Sequence, residues 1–196
     1  MSAAVKKLLG PPGTGKTTTL LKFVEAEMDT TAIDKIGYFS FTRKAANEAR
    51  DRAIAKFKLD KKDFKWFSTL HSCGYHSINL EGRSVMKLSQ YKNFADKVGL
   101  RSKMFVSSDT GLSDNPYLNG HHLARARGIS LEEHYKKYVD SSQIDWKYLE
   151  YISSAYEQYK EVNNCLDYTD MLYEAVNDNL LPVLDVVFID EAQDLT

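Results

Sequence analysis

The fold of this 196-residue chain is decided by the stretch Gly10-Pro11-Pro12-Gly13-Thr14-Gly15-Lys16-Thr17. It fits the pattern G-x-x-x-x-G-K-[ST], in which glycines let the backbone curl so that successive N–H groups point at phosphate oxygens. A helix that begins after such a loop adds the positive end of its dipole. In this pattern Lys16 reaches the β- and γ-phosphates, and the hydroxyl of Thr17 binds Mg²⁺. The stretch therefore predicts a site for a nucleoside triphosphate.

The segments around this loop alternate between strand and helix patterns. Residues 4–9 (AVKKLL) predict a short strand before the loop, and residues 17–28 predict an amphipathic helix after it. Further strands are predicted at 36–41 and 64–69, and further helices at 43–58, capped by Thr42, and at 70–78. Alternation at this spacing predicts an α/β fold, with a parallel sheet flanked by helices.

Residues 80–142 break this alternation. They are rich in Ser, Asn and Asp and contain short helical candidates at 88–98 and 131–138, so we interpret them as an inserted helical subdomain. Helices capped by Asp145 and Asp167 then follow, and the last strand is predicted at 183–189 (VLDVVFI). The predicted domains are thus 1–79 with 143–196 for the nucleotide-binding domain, and 80–142 for the insertion.

The last predicted strand runs directly into Asp190-Glu191. Ligands of open α/β sheets bind at the carboxyl ends of the strands, which is where this pair would lie. Asp190 would hold Mg²⁺, directly or through water, and Glu191 would orient and deprotonate an attacking water. An acidic pair after a strand is by itself more often an exposed turn. The phosphate-binding pattern upstream favours the catalytic interpretation here.

Composition excludes several classes of protein. Hydrophobic residues make up 43% and charged residues 27%, which is typical of a globular domain and not of a disordered chain or a fibre. No apolar run approaches the ~20 residues that span a membrane, so no membrane partner is expected. Two cysteines, Cys73 and Cys165, cannot form a disulfide scaffold, which favours a reducing compartment and a cytoplasmic location.

Charge is divided unevenly along the chain. Residues 43–65 carry nine Lys/Arg against four Asp/Glu, a net of +5, whereas residues 160–196 carry one Lys against nine Asp/Glu, a net of −8. Two solvated helix faces would explain this division, and so would a basic surface that meets nucleic acid.

The histidines give weaker signals. His71, Cys73 and His76 lie close together but have no convincing fourth ligand for zinc, so a helix with a buried thiol is the favoured interpretation. We expect His121, His122 and His134, in the predicted insertion, at the surface.

Four motifs beyond the phosphate loop resemble superfamily 1 helicases of the UvrD/Rep type. Asp190-Glu191-Ala192-Gln193-Asp194 resembles the D-E-x-Q-D signature of that family. Residues 39–46 (FSFTRKAA) resemble its T-F-T-N-K-A-A element, with Arg43 in place of Asn. Residues 67–72 (FSTLHS) resemble its S-T-F-H-S element, and residues 167–172 (DYTDML) its D-F-D-D-L-L element. The motifs occur in the family's order, and the resemblance spans nearly the whole chain.

The resemblance implies a RecA-like P-loop NTPase domain that uses ATP and Mg²⁺. It implies catalytic roles for Lys16, Glu191 and Gln193, the last of which would sense the γ-phosphate, and a metal site at Thr17 and Asp190. The implied ATP-binding residues are Gly10, Pro11, Pro12, Gly13, Thr14, Gly15, Lys16, Thr17 and Thr18. The implied contacts to single-stranded DNA are Phe41, Thr42, Arg43, Lys44, Thr69 and His71.

The residue types in the DNA elements suit that partner. Hydroxyls and cations at a strand-to-helix junction suit a phosphate backbone, and the ring of Phe41 offers a stacking platform. Packing of Phe41 in the core remains an equal alternative, because aromatic rings are usually buried.

The function that the resemblance implies is an ATP-dependent DNA helicase or translocase, with this chain as its first motor domain. The alternatives are a non-catalytic module that binds nucleotide or single-stranded DNA and works through a partner chain, and a small P-loop kinase. The DNA-like elements and the Glu191-x-Gln193 pattern argue against the kinase.

The 196 residues do not contain the family's second motor domain, its catalytic arginines, or the strand that follows the acidic motif. We therefore expect a gap in the centre of the sheet. We also expect a second motor domain or partner chain to be needed, with weak or no hydrolysis by this chain alone.

Overall fold

The computed structural model describes residues 4–11, 13–101 and 114–192. They divide into two compact units: residues up to Cys73 together with those from Pro182 onward, and Gly74–Leu181. These units are defined by packing, and the assignment of 80–142 as an insertion remains a prediction.

The described residues form the following elements. The helices are α1 Lys16–Glu27, α2 Arg43–Phe57, α3 Leu70–Ser77, α4 Leu88–Lys97, α5 Pro116–Ala126, α6 Leu131–Tyr138, α7 Trp146–Val162 and α8 Tyr168–Asn177. The strands are β1 Ile36–Ser40, β2 Phe67–Thr69, β3 Ser84–Val85, β4 Cys165–Leu166 and β5 Val186–Asp190. Short 3₁₀ helices occupy Ile33–Lys35 and Lys61–Phe64. No helix in these described ranges is both long enough and apolar enough to cross a bilayer.

A three-stranded parallel sheet organises the first unit, in the order β2-β1-β5. Ser40, the last residue of β1, pairs with Thr69 of β2 on one side and with Asp190 of β5 on the other. The core beside this sheet contains Leu21, Val24, Ile36, Tyr38, Ala49, Ala53, Phe64 and Phe67. The predicted α/β fold with a parallel sheet flanked by helices is confirmed.

The strand predicted at residues 4–9 is wrong. The described residues 4–11 contain no strand, and Val5 and Leu9 are 79% and 87% exposed. Among the described strands, β5 pairs with β1 alone. The described segment 4–11 pairs with no strand. A strand requires a hydrogen-bonding neighbour, which an apolar pattern does not supply.

The other predicted strands are shorter than expected. β2 begins at Phe67, because the residues before it form the 3₁₀ helix Lys61–Phe64, and β5 begins at Val186.

The second unit is mainly helical, with β3 and β4 paired in parallel. The helices predicted at 88–98, 131–138 and after Asp145 and Asp167 are present as α4, α6, α7 and α8. Helix α5 is an addition that the sequence pattern did not predict, with Pro116 in its first turn and Asn115 as its cap. The largest core cluster of this unit is Met86, Tyr91, Phe94, Ala95, Leu100, Leu118, Ile152, Tyr156, Tyr159 and Cys165.

The surface prediction for three histidines is wrong. His121, His122 and His134 are 3%, 6% and 2% exposed. The His121 and His122 rings both pack edge-on against Tyr156 of α7, at 5.0 and 5.2 Å between ring centroids. An imidazole ring packs as other aromatic rings do, and both histidines of α5 contact Tyr156 in this way.

A buried ion-pair cluster joins α5, α7 and α8 within this unit. Lys160 Nζ lies 2.6 Å from Asp170 Oδ2, and Arg125 Nη1 lies 2.6 Å from Asp167 Oδ2. Asp167 is 1% exposed and caps α8 as predicted, accepting a 2.8 Å hydrogen bond from Asp170 N. Burial opposes its ionisation, but the charges of Lys160 and Arg125 outweigh burial and hold the pKa of Asp167 below its ordinary value.

Candidate nucleotide-binding site

The loop before α1 has the backbone shape that its glycines predict. Gly13 and Gly15 adopt positive φ angles of 80° and 78°, a conformation that L-residues with a side chain rarely adopt. Gly15 is the N-cap of α1, and no side-chain hydrogen bond caps the helix there. The first-turn N–H groups of α1 are therefore left to bind an anion or water.

The lysine of the loop lies over the loop itself. Lys16 Nζ donates hydrogen bonds to the carbonyl oxygens of Gly10 and Pro11, at 3.0 and 3.3 Å. Thr14 Oγ1 donates to the same carbonyl of Pro11 at 2.8 Å. The ammonium group is thus held on the loop, beside the uncapped end of α1.

The two predicted halves of the site meet in the structure. Thr17 Oγ1 donates a 2.8 Å hydrogen bond to Asp190 Oδ2, although the residues are 173 positions apart in the chain. Strand β5 carries Asp190 to the carboxyl edge of the sheet, where its side chain is 4% exposed. A hydroxyl and a carboxylate are hard oxygen ligands of the kind Mg²⁺ prefers. Beside an ammonium and an open helix N-terminus, they fit a magnesium nucleotide.

A third residue, Tyr38, joins this pair, and the sequence analysis missed it. Tyr38 Oη donates a 2.8 Å hydrogen bond to Asp190 Oδ2. Burial, and then the adjoining carboxylate of Asp190, raise the pKa of Tyr38 well above its ordinary value, so the phenol keeps its proton. The sequence contains an indication of this contact, because a tyrosine inside a strand predicted to be buried needs a hydrogen-bond partner for its hydroxyl.

Glu191 follows β5 in an unusual backbone conformation. Its φ angle is 54°, in the left-handed region, and its N–H donates to Asp190 Oδ1 at 3.1 Å. A non-glycine residue in this region is uncommon, and such conformations cluster at functional sites. Of the other predicted ATP-site residues, Thr18 is exposed on α1, whereas Pro12 and Gln193 lie outside the described residues.

The predicted DNA contacts follow the carboxyl ends of β1 and β2. Because Thr69, Ser40 and Asp190 lie in one row across the sheet, these contacts share an edge with Asp190. The hydroxyl of Thr42 caps α2 by accepting a bond from Ala45 N at 3.2 Å. Thr69 is buried and accepts from Ser72 N at 3.1 Å. Both hydroxyl protons are left unused by these two bonds and can donate elsewhere.

The charged and aromatic members of the predicted DNA set differ in exposure. Arg43 and Lys44 are exposed in the first turn of α2, whereas Phe41 and His71 are half-buried. Burial, and then the charge of Arg43, lower the pKa of His71, which keeps the imidazole neutral near pH 7. The partial burial of Phe41 agrees with both interpretations left open for it, packing in the core and stacking on a base.

Comparison with known protein families agrees with these motifs. The model of the UvrD/REP helicase N-terminal domain matches residues 4–196, which is nearly the whole chain. No curated protein matches the chain. The resemblance inferred from the motifs is confirmed, and with it the P-loop NTPase fold, a helicase relationship and a general role in binding ATP. The chain belongs to the UvrD/REP helicase N-terminal domain family.

Proposed function

We propose that this chain is the ATP-binding part of a DNA helicase or translocase that couples ATP hydrolysis to movement on single-stranded DNA. Family membership supports the helicase assignment. The observation that carries the proposal is the 2.8 Å hydrogen bond from Thr17 to Asp190, which unites the phosphate loop and the acidic motif.

Some residues of the site bind the nucleotide, and others take part in its hydrolysis. The N–H groups of the loop and the ammonium of Lys16 bind the phosphates. Thr17 and Asp190 would hold Mg²⁺, which would supply positive charge close to the phosphates. Glu191 orients the attacking water and takes its proton, and Gln193 senses the γ-phosphate.

DNA binds, in this proposal, at the same edge of the sheet. Arg43 and Lys44 neutralise phosphates, while Phe41 offers its exposed part to a base. Ser40 lies directly between Thr69 and Asp190 in the register, so the nucleotide and DNA sites are separated by one strand. Because the two sites are so close, the bound nucleotide can directly change the affinity of the domain for DNA.

Nucleotide binding is the first test. N-methylanthraniloyl-ATP is titrated into the full chain with and without Mg²⁺, and its fluorescence is followed. We expect Lys16→Ala to abolish most binding and Glu191→Gln to retain it. Lys22→Ala, an exposed lysine on the same helix, is the matched control and binds like the unsubstituted chain. Absence of Mg²⁺-dependent binding by the unsubstituted chain refutes the proposed function.

Hydrolysis distinguishes the motor from the binding module. We expect slow turnover by this chain alone and DNA-stimulated turnover once a second motor domain or partner chain is supplied, because transition-state arginines are worth about 10³-fold or more. Nucleotide binding with no DNA-stimulated turnover, even with that partner, favours the non-catalytic module.

DNA binding is measured separately, by fluorescence anisotropy of a labelled oligo-dT. We expect Arg43→Ala and Lys44→Ala each to weaken binding and to reduce the slope against salt by about one. Lys62→Ala, in the same basic segment but paired with Asp60, is the control. Equal losses at all three positions would indicate non-specific attraction to the basic region.

A further inference from the structure

Tyr38 is a fully buried tyrosine in the central strand of the sheet, and nothing in its packing requires a hydroxyl. Its ring stacks on Phe67 of β2, with the centroids 5.3 Å apart, inside the apolar core beside α1 and α2. A phenylalanine would fill the same space and make the same ring contacts. The hydroxyl therefore needs an explanation beyond packing.

The register of the sheet brings that hydroxyl to the acidic motif. Tyr38 lies opposite Phe188, and Asp190 lies two residues further along β5, on the same face of the sheet. Diagonal neighbours on adjacent strands are within reach of a long aromatic side chain. The phenol thus ends 2.8 Å from Asp190 Oδ2.

Three donors fix the two oxygens of this carboxylate. Oδ2 accepts from Tyr38 Oη and from Thr17 Oγ1, both at 2.8 Å, and Oδ1 accepts from Glu191 N at 3.1 Å. Of these three, Thr17 belongs to the phosphate loop and Glu191 follows β5, whereas Tyr38 is held by the core. Tyr38 is accordingly the donor that links the carboxylate to the buried core.

We propose that Tyr38 is a positioning residue for the magnesium nucleotide, acting through Asp190. Its hydroxyl holds the carboxylate in one orientation toward Thr17, so that the oxygens that receive Mg²⁺ are in place before the nucleotide arrives. This inference rests on the proposed function. It goes further by assigning a role to a residue of the β1 strand that contacts neither nucleotide nor DNA in the proposal.

Partners of this kind orient groups that bind a metal, and their loss typically costs about 10- to 100-fold in metal affinity or activity. Asp190 keeps two donors when the phenol is removed, so we expect the low end of that range. Tyr38→Phe should raise the Mg²⁺ midpoint for nucleotide binding about tenfold. The affinity for nucleotide without Mg²⁺ should stay within about twofold, because loop and lysine are untouched.

The experiment is a Mg²⁺ titration of N-methylanthraniloyl-ATP binding to the full chain, compared between the unsubstituted protein and Tyr38→Phe. The control is Tyr156→Phe, which removes another buried hydroxyl, one that donates to Met86 Sδ at 3.5 Å in the other unit. Thermal unfolding is recorded for each variant, so that a general loss of stability is seen as a lower unfolding temperature.

A double-mutant cycle tests whether Tyr38 acts through the carboxylate. In an Asp190→Ala background, Tyr38→Phe should move the Mg²⁺ midpoint no further. Equal midpoints for Tyr38→Phe and the unsubstituted protein overturn the inference and leave the proposed function standing. An equal loss of nucleotide affinity with and without Mg²⁺ also overturns the inference and leaves the proposed function standing. If the unsubstituted chain shows no Mg²⁺-dependent binding, the proposed function fails and this inference fails with it.

Discussion

Buried His122 makes the stability of the helical unit depend on pH. It lies on α5 among the rings of Tyr91, Tyr156 and His121, and it is 6% exposed. Burial and the neighbouring His121 lower the pKa of His122 from 6.5 to about 4. Between these values the unfolded chain binds a proton that the folded chain does not bind, so the free energy of unfolding falls as the pH falls.

The magnitude follows from the two pKa values. Their difference of about 2.5 corresponds to about 3 kcal/mol in total, at about 1.36 kcal/mol for each pH unit. Of this, about 2 kcal/mol is lost between pH 7 and pH 5, before the carboxylates begin to titrate strongly. Replacing His122 by Gln should remove that part of the pH dependence.

The assay is urea unfolding at pH 7, 6 and 5. Trp66 lies in the unit that holds the sheet and Trp146 in the helical unit. A Trp66→Phe background therefore makes tryptophan fluorescence report on the helical unit alone. His134→Gln is the matched control, because it removes a different buried histidine and should leave the contribution of His122 in place. The same loss between pH 7 and pH 5 with and without His122 would refute the reasoning.

Three further predictions concern stability and use urea unfolding with the tryptophan of the relevant unit. Asp167→Asn keeps a helix cap but removes the carboxylate that pairs with Arg125 and Lys160. The free energy of unfolding of the helical unit should therefore fall by about 2–3 kcal/mol, and an unchanged value would contradict the importance of these ion pairs. Gly37→Ala would place a Cβ 2.7 Å from Leu184 Cδ1 and should cost the sheet-bearing unit about 1 kcal/mol, whereas a gain would show that the neighbour moves freely. Arg83→Met removes a bidentate ion pair with Glu174, at 2.7 and 2.8 Å, and should cost about 0.5–1 kcal/mol at low salt. The difference should shrink in 1 M salt; a salt-independent loss would indicate that packing, or the hydrogen bonds of Arg83 to the carbonyls of Leu80 and Asn79, matter more than the ion pair.

Features that depend on neighbouring residues in the chain could be predicted from the sequence. Thr42, Asp145 and Asp167 cap the helices that they were expected to cap, because a cap is a bond between a side chain and a backbone N–H two or three residues on. The strand–helix alternation likewise predicted the parallel sheet, and the motifs predicted the family. Each cap and each single motif is written within a few consecutive residues, and the alternation is a series of such local patterns.

Features that depend on residues far apart in the chain were decided by the tertiary structure. Residues 4–9 have a strand-like pattern but no strand in the described structure, because a strand is completed by a neighbour and not by its own sequence. His121 and His122 look polar in the sequence and are buried, because both rings pack against Tyr156 of α7.

The candidate site shows the same division. The sequence by itself determined the phosphate loop, the acidic motif and the kinds of chemistry that their residues can perform. Only the fold determined that Thr17 and Asp190 lie 2.8 Å apart, and that Tyr38 reaches the same carboxylate oxygen. The physical reason is that backbone preferences and caps act over a few residues. The register of a parallel sheet, in contrast, sets which side chains from distant segments lie within hydrogen-bonding distance of each other.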